Sequence, residues 1–67
     1  MTVLYRSTAC RLLALGEFVD APAALAYVAK TFGETYAEED ADHPGCFDIF
    51  VHNTGDVLAI QPKDFRL

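Results

Sequence analysis

The regular spacing of apolar residues is clearest between Asp20 and Gly33. One face of a helix would carry the apolar positions Ala21, Ala24, Leu25, Val28, Ala29 and Phe32. Asp20 can cap the first amides, Pro22 suits the first turn, and Gly33 can adopt the left-handed conformation that ends many helices. The pattern predicts an α-helix with these boundaries.

Two stretches with β-strand character follow nearer the C-terminus, Phe47 to His52 and Asp56 to Gln61. Between them, Asn53-Thr54-Gly55 suits the positive φ angles of a hairpin turn, and Pro62 ends the second strand. One side of the first strand carries Phe47, Ile49 and Val51, and the other carries Cys46, Asp48, Phe50 and His52. The helix can cover only one side, so the other is open to solvent or to a second copy in a homodimer.

The N-terminal third has a less definite pattern. Residues 2–8, TVLYRST, are typical of a strand, whereas residues 9–19 fit either a second strand or a short helix that ends at Gly16. Residues 34–46 are expected to form an acidic loop. The whole pattern predicts a single acidic α+β domain over residues 1–67, with one main helix on one face of a small antiparallel sheet of three or four strands.

Charge is distributed unevenly along these 67 residues, which include ten acidic and five basic residues and carry a formal charge of −5. Residues 31–62 contain no Lys or Arg, but they hold the seven carboxylates Glu34, Glu38, Glu39, Asp40, Asp42, Asp48 and Asp56. Because this segment would repel phosphates, we expect no direct binding of nucleic acid. A basic protein surface is a better match, and a solvated loop without any partner is the alternative.

The acidic segment matches a calcium loop only in part. Asp40, Asp42 and Gly45 occupy positions 1, 3 and 6 of such a loop, but Pro44 and Val51 stand where two oxygen donors are required. The carboxylates have only Ala as an apolar neighbour, so burial would not separate their pKa values for acid and base catalysis. We expect neither calcium nor enzymatic activity.

Cysteine and histidine are present in sufficient number for a zinc site but not in a recognised spacing. Cys10, His43, Cys46 and His52 are suitable ligand types, but their spacing is not that of a known zinc finger. We therefore expect no metal or cofactor, and two free thiols in a reducing cytoplasm, with a Cys10–Cys46 bridge as the alternative. No signal peptide and no membrane span are expected from the N-terminal sequence or the hydropathy.

Two stretches resemble a known group of proteins. The helix DAPAALAYVAKTFG and the final strand VLAIQPKDFRL resemble the C-terminal half of some small phage-encoded anti-CRISPR proteins. The resemblance covers about half of the chain and does not include the acidic segment. It implies a non-enzymatic inhibitor that blocks DNA binding or nuclease recruitment by a CRISPR effector in the cytoplasm of a bacterial host.

Charge and resemblance together indicate a small acidic protein that binds and inhibits a protein complex that handles nucleic acid. The carboxylates can take positions on a basic surface that phosphates would otherwise occupy, and exposed aromatic residues can anchor the contact. The predicted binding residues are Tyr36, Glu38, Glu39, Asp40, Asp42, Asp48, Phe50 and Asp56. The alternative function is a stand-alone dimeric structural or regulatory domain that does not bind such machinery.

Overall fold

The structure, a computed structural model, describes residues 1–8 and 11–64. Within these residues the elements are β1 (Thr2–Ser7), β2 (Leu12–Phe18), α1 (Ala21–Phe32), β3 (Thr35–Glu39), β4 (Phe47–Val51) and β5 (Val57–Pro62). The strands form one antiparallel sheet in the order β2-β1-β5-β4-β3, and α1 packs on one face of it. The predicted α+β class is confirmed. No helix in the described ranges is long and apolar enough to cross a membrane.

Helix α1 begins and ends where its capping residues predict. The side chain of Asp20 accepts a hydrogen bond of 2.9 Å from the amide of Ala23, and Gly33 follows the last turn with a φ of +80°. The apolar stripe faces the sheet, with Ala24 and Val28 buried and Ala21, Leu25 and Phe32 packed at the margin. Ala29, which the same spacing placed on this face, is exposed.

The core lies between α1 and the facing side of the inner strands. Leu4 of β1 is opposite Ile60 of β5, and Ile49 of β4 is opposite Leu58 of β5, and all four side chains are fully buried. Burial of one such side chain contributes about 1.5 to 3 kcal/mol. The burial of Ile49 and Val51 shows that the helix covers the side of β4 on which these two residues lie.

Residues 9–19, for which the sequence left two conformations open, contain strand β2 at one edge of the sheet. Leu4 pairs with Gly16 and Tyr5 pairs with Ala14, so Leu15 is an extra residue that forms a bulge. Residues 9 and 10 lie outside the described ranges, and the alternative of a Cys10–Cys46 bridge therefore falls outside them too.

The sheet has five strands, not the three or four predicted, because part of the expected acidic loop is strand β3. The side chains of β3 alternate between the two faces of the sheet, with Thr35, Ala37 and Glu39 on one face and Tyr36 and Glu38 on the other. All five residues pair in register with β4. Charged residues are common on edge strands, where they prevent further pairing, so the carboxylates that suggested a loop are compatible with a strand at this position. Only residues 40–46 connect β3 to β4.

Candidate protein-binding surface

The two strands at one end of the sheet bring together four of the predicted binding residues. Tyr36 is directly opposite Phe50, and Glu38 is directly opposite Asp48. Their side chains lie on the side away from α1, since they alternate along β4 with the buried side chain of Ile49. We call these four residues the acidic-aromatic face.

The aromatic half of this face is accessible to solvent. The rings of Tyr36 and Phe50 stack with their centroids 6.5 Å apart and their planes at 25°. Tyr36 is 61% exposed and Phe50 is 47% exposed. Val57 of β5 stands opposite Phe50 on its other side and extends the apolar surface. Large rings that are ordered by their neighbours but accessible are typical anchors of protein interfaces.

The acidic half of the face places two like charges side by side. Carboxylates directly opposite each other in an antiparallel pair repel and destabilise the sheet. Glu38 accepts a long hydrogen bond of 3.4 Å from the hydroxyl of Tyr36, and neither Glu38 nor Asp48 has a cationic partner among the described residues. The fold therefore keeps a concentrated negative charge beside the aromatic pair.

The connection between β3 and β4 uses two other predicted binding residues to hold its own shape. Asp40 accepts hydrogen bonds from the amide of Asp42 at 2.9 Å and from His43 at 3.0 Å, and its pKa is lowered, mainly by the hydrogen bond with His43. Glu39 accepts a hydrogen bond of 3.2 Å from the amide of Gly45. These two carboxylates already have partners within the loop, whereas the side chain of Asp42 projects from it and is exposed.

Asp56 lies away from the acidic-aromatic face, in the connection between β4 and β5. It accepts hydrogen bonds from Thr54 at 2.8 Å and from the guanidinium of Arg6 at 2.9 Å. The Thr54 hydroxyl, with Arg6 as the next cause, lowers the pKa of Asp56. Its main role in the structure is to join this connection to β1.

A cleft of about 140 Å³ lies beside the face and includes Asp40, His43 and Cys46 in its lining. This grouping suggests a thiol nucleophile with a histidine base, but burial, followed by the charges of Asp40 and Asp48, raises the pKa of Cys46. A reactive cysteine requires the opposite shift. Within the described part of the chain, no group of three or more His, Cys, Asp or Glu side chains could hold a metal ion.

The residues of the face were predicted from the sequence, but the pairing that joins them was not. Tyr36 was expected in a loop, and its position opposite Phe50 depends on β3 being a strand. The alternation of Thr35, Tyr36 and Ala37, with two residue types that favour strands, is the signal that could have revealed it.

Comparisons with protein-family models, with curated proteins and with solved structures found no match to this chain.

Proposed function

We propose that this protein is a non-enzymatic inhibitor that binds a basic surface of a nucleic-acid-handling protein complex through its acidic-aromatic face. The observation that carries the proposal is the exposed Tyr36–Phe50 ring pair beside two opposed carboxylates, Glu38 and Asp48, that have no described cationic partner. A face of this composition does little for the fold, whereas it suits a contact with a partner protein.

The aromatic pair supplies an anchor for the contact. Both rings are attached to a two-stranded ladder, so little conformational entropy is lost when a partner covers them. Removal of such an aromatic anchor from an interface typically costs about 2 kcal/mol or more of binding free energy. Phe50, between Tyr36 and Val57, is at the centre of the apolar part and should contribute most.

The carboxylates supply selectivity for a basic partner. An Arg or Lys placed between Glu38 and Asp48 would relieve their mutual repulsion and form charge-assisted hydrogen bonds at the same time. Basic side chains that hold nucleic acid are arranged to receive phosphate oxygens, and carboxylate oxygens can take those positions. Binding of this face would then exclude the nucleic acid by direct competition.

The resemblance to small phage-encoded anti-CRISPR proteins supports a CRISPR effector as the target, in the cytoplasm of a bacterial host. Burial raises the pKa of the Cys46 thiol, which disfavours this residue as a nucleophile and is compatible with inhibition by binding. The inhibitor would thus act stoichiometrically, by covering a surface of the effector.

The test is a gel-shift titration with purified CRISPR effector complexes and labelled target DNA. We expect the wild-type chain to release DNA at stoichiometric concentrations, and Glu38→Lys and Phe50→Ala to lose this effect. Glu34→Lys is the control, because Glu34 is an equally charged exposed residue that precedes β3 and is not opposite Asp48. Unchanged DNA binding with the wild-type chain, across effectors of different types, refutes the proposed target. Equal inhibition by wild type and Glu38→Lys refutes the proposed surface.

A further inference from the structure

Strand β2 forms the edge of the sheet opposite to β3, and its exposed side chains are mainly apolar. Leu12 and Leu15 are each 44% exposed and Leu13 is 37% exposed. Residues 12–16 include no charged side chain. In the described part of the chain β2 pairs with β1 alone, so its outer edge offers free amide and carbonyl groups beside apolar side chains. An edge of this kind readily pairs with another strand.

The two edges of the sheet differ in how they are protected. Strand β3 ends in Glu38 and Glu39, and two copies of so acidic a strand would repel each other. Strand β2 has only Glu17 near its end, where the carboxylate pairs with Lys63 at 3.1 Å. The acidic residues therefore restrict strand pairing at β3, whereas the bulge at Leu15 is the main obstacle to pairing at β2.

The charges that flank β2 are complementary to those of a second, antiparallel copy. Arg11 precedes the strand and has no ion-pair partner among the described residues, while Glu17 lies near the strand's end. When two copies run in opposite directions, Arg11 of each lies toward Glu17 of the other. The same arrangement brings the exposed leucines of both copies together between the two charged ends.

We propose that this protein forms a homodimer by antiparallel pairing of strand β2 with β2 of a second copy. The two five-stranded sheets then continue into one sheet, with the bulge at Leu15 bending it near the junction. Strand β3 of each copy stays at an outer end, so the acidic-aromatic faces remain uncovered. The proposal does not depend on what those faces bind.

Sedimentation velocity on the full chain tests the proposal. We expect the wild type to sediment at twice the chain mass of 7.4 kDa. Leu13→Lys, which places two lysines at the junction, should raise the dissociation constant at least about tenfold. Phe50→Lys is the matched control, because it places a lysine at a similarly exposed apolar residue on the open face. A circular dichroism spectrum of each variant shows whether it is folded.

A charge exchange gives a second test that does not alter the apolar residues. The exchange is made in a Lys63→Gln background, because Lys63 pairs with Glu17 of the same chain. In that background Arg11→Glu should weaken the dimer, and Arg11→Glu/Glu17→Arg should restore it. A wild type that stays monomeric at about 1 mM overturns the proposal. So does a dimer that dissociates with Phe50→Lys and persists with Leu13→Lys, because that result places the contact on the open face.

Discussion

Replacement of Glu38 by Lys should stabilise the fold while it removes the proposed binding activity. Glu38 stands directly opposite Asp48, and the change converts a repulsive cross-strand pair into an attractive one. Cross-strand charge pairs contribute about 0.2 to 1 kcal/mol, with the sign set by the charges. The hydrogen bond that is lost from Tyr36 is long, at 3.4 Å, and subtracts little.

The expected gain is large enough to measure in a chain of this size. A reversal from repulsion to attraction by about 0.5 to 1 kcal/mol corresponds to a rise in Tm of about 2 to 8 °C for a domain of 60 to 100 residues. The total stability of 67 residues is about 3 to 10 kcal/mol, so the change is a noticeable fraction of it.

Thermal unfolding followed by circular dichroism measures this effect, with Glu34→Lys as the control. Both variants change the net charge of −5 by the same amount, so any difference between them reports the pairing with Asp48. The advantage of Glu38→Lys should shrink in 1 M salt, where the screening length is about 3 Å. A Tm for Glu38→Lys at or below that of Glu34→Lys in low salt would falsify the coupling of Glu38 to Asp48.

Three further predictions concern the stability of the fold. Asp56 has a lowered pKa in the folded state, so its contribution to the free energy of unfolding is present above the unfolded pKa near 3.8 and is lost as pH falls through the folded pKa. Urea titrations should show that the wild type is more stable than Asp56→Asn at pH 7 and that this difference vanishes in acid. A difference that stays constant with pH would contradict this. Gly45 and Gly55 have φ angles of +88° and +75°, which residues with a side chain rarely adopt. A Cβ at Gly45 would lie 3.4 Å from Pro62, an ordinary van der Waals distance, and one at Gly55 would meet open space. Gly45→Ala and Gly55→Ala should therefore each lower the free energy of unfolding by about 1 to 2 kcal/mol because of the backbone conformation alone, and an unchanged stability in both variants would contradict this. Leu58→Ala should cost about 2 to 5 kcal/mol in urea denaturation, since the side chain is fully buried, and a loss under 1 kcal/mol would mean that the core closes around the cavity.

The sequence was most informative where local chemistry alone determines structure. The helix could be placed from Asp20 to Gly33 because capping and the apolar stripe agree. The hairpin could be placed because Gly55 has the positive φ that its turn requires, at +75°, whereas Asn53, which was also expected to suit a positive φ, does not have one. Each of these elements depends on residues a few positions apart. The pairing of β1 with β5, in contrast, joins residues that are far apart in the sequence, and no local pattern predicts it.

Strand β3 and the ion pair between Arg6 and Asp56 show the opposite case. A strand at the edge of a sheet need bury little, so Glu38 and Glu39 gave β3 the composition of a loop. Arg6 and Asp56 are fifty positions apart, and only the pairing of β1 with β5 brings them to 2.9 Å. Of the predicted binding residues, the structure groups those that share one face of β3 and β4, and it gives Glu39, Asp40 and Asp56 partners within the fold.

A sheet covered by a single helix separates the residues that stabilise the fold from those available for binding. The side chains that hold this small domain together, such as Leu4, Ile49 and Leu58, lie on the helix side. Residues on the other side of the outer strands are less constrained by packing, and there the chain carries an opposed pair of carboxylates, an arrangement expected to lower stability. Glu38 also protects the edge of the sheet from further pairing, so its repulsion with Asp48 fits edge protection as well as the proposed binding at this face. If the proposed contact forms, a cation supplied by the partner would remove the repulsion, so binding should also raise the stability of this protein.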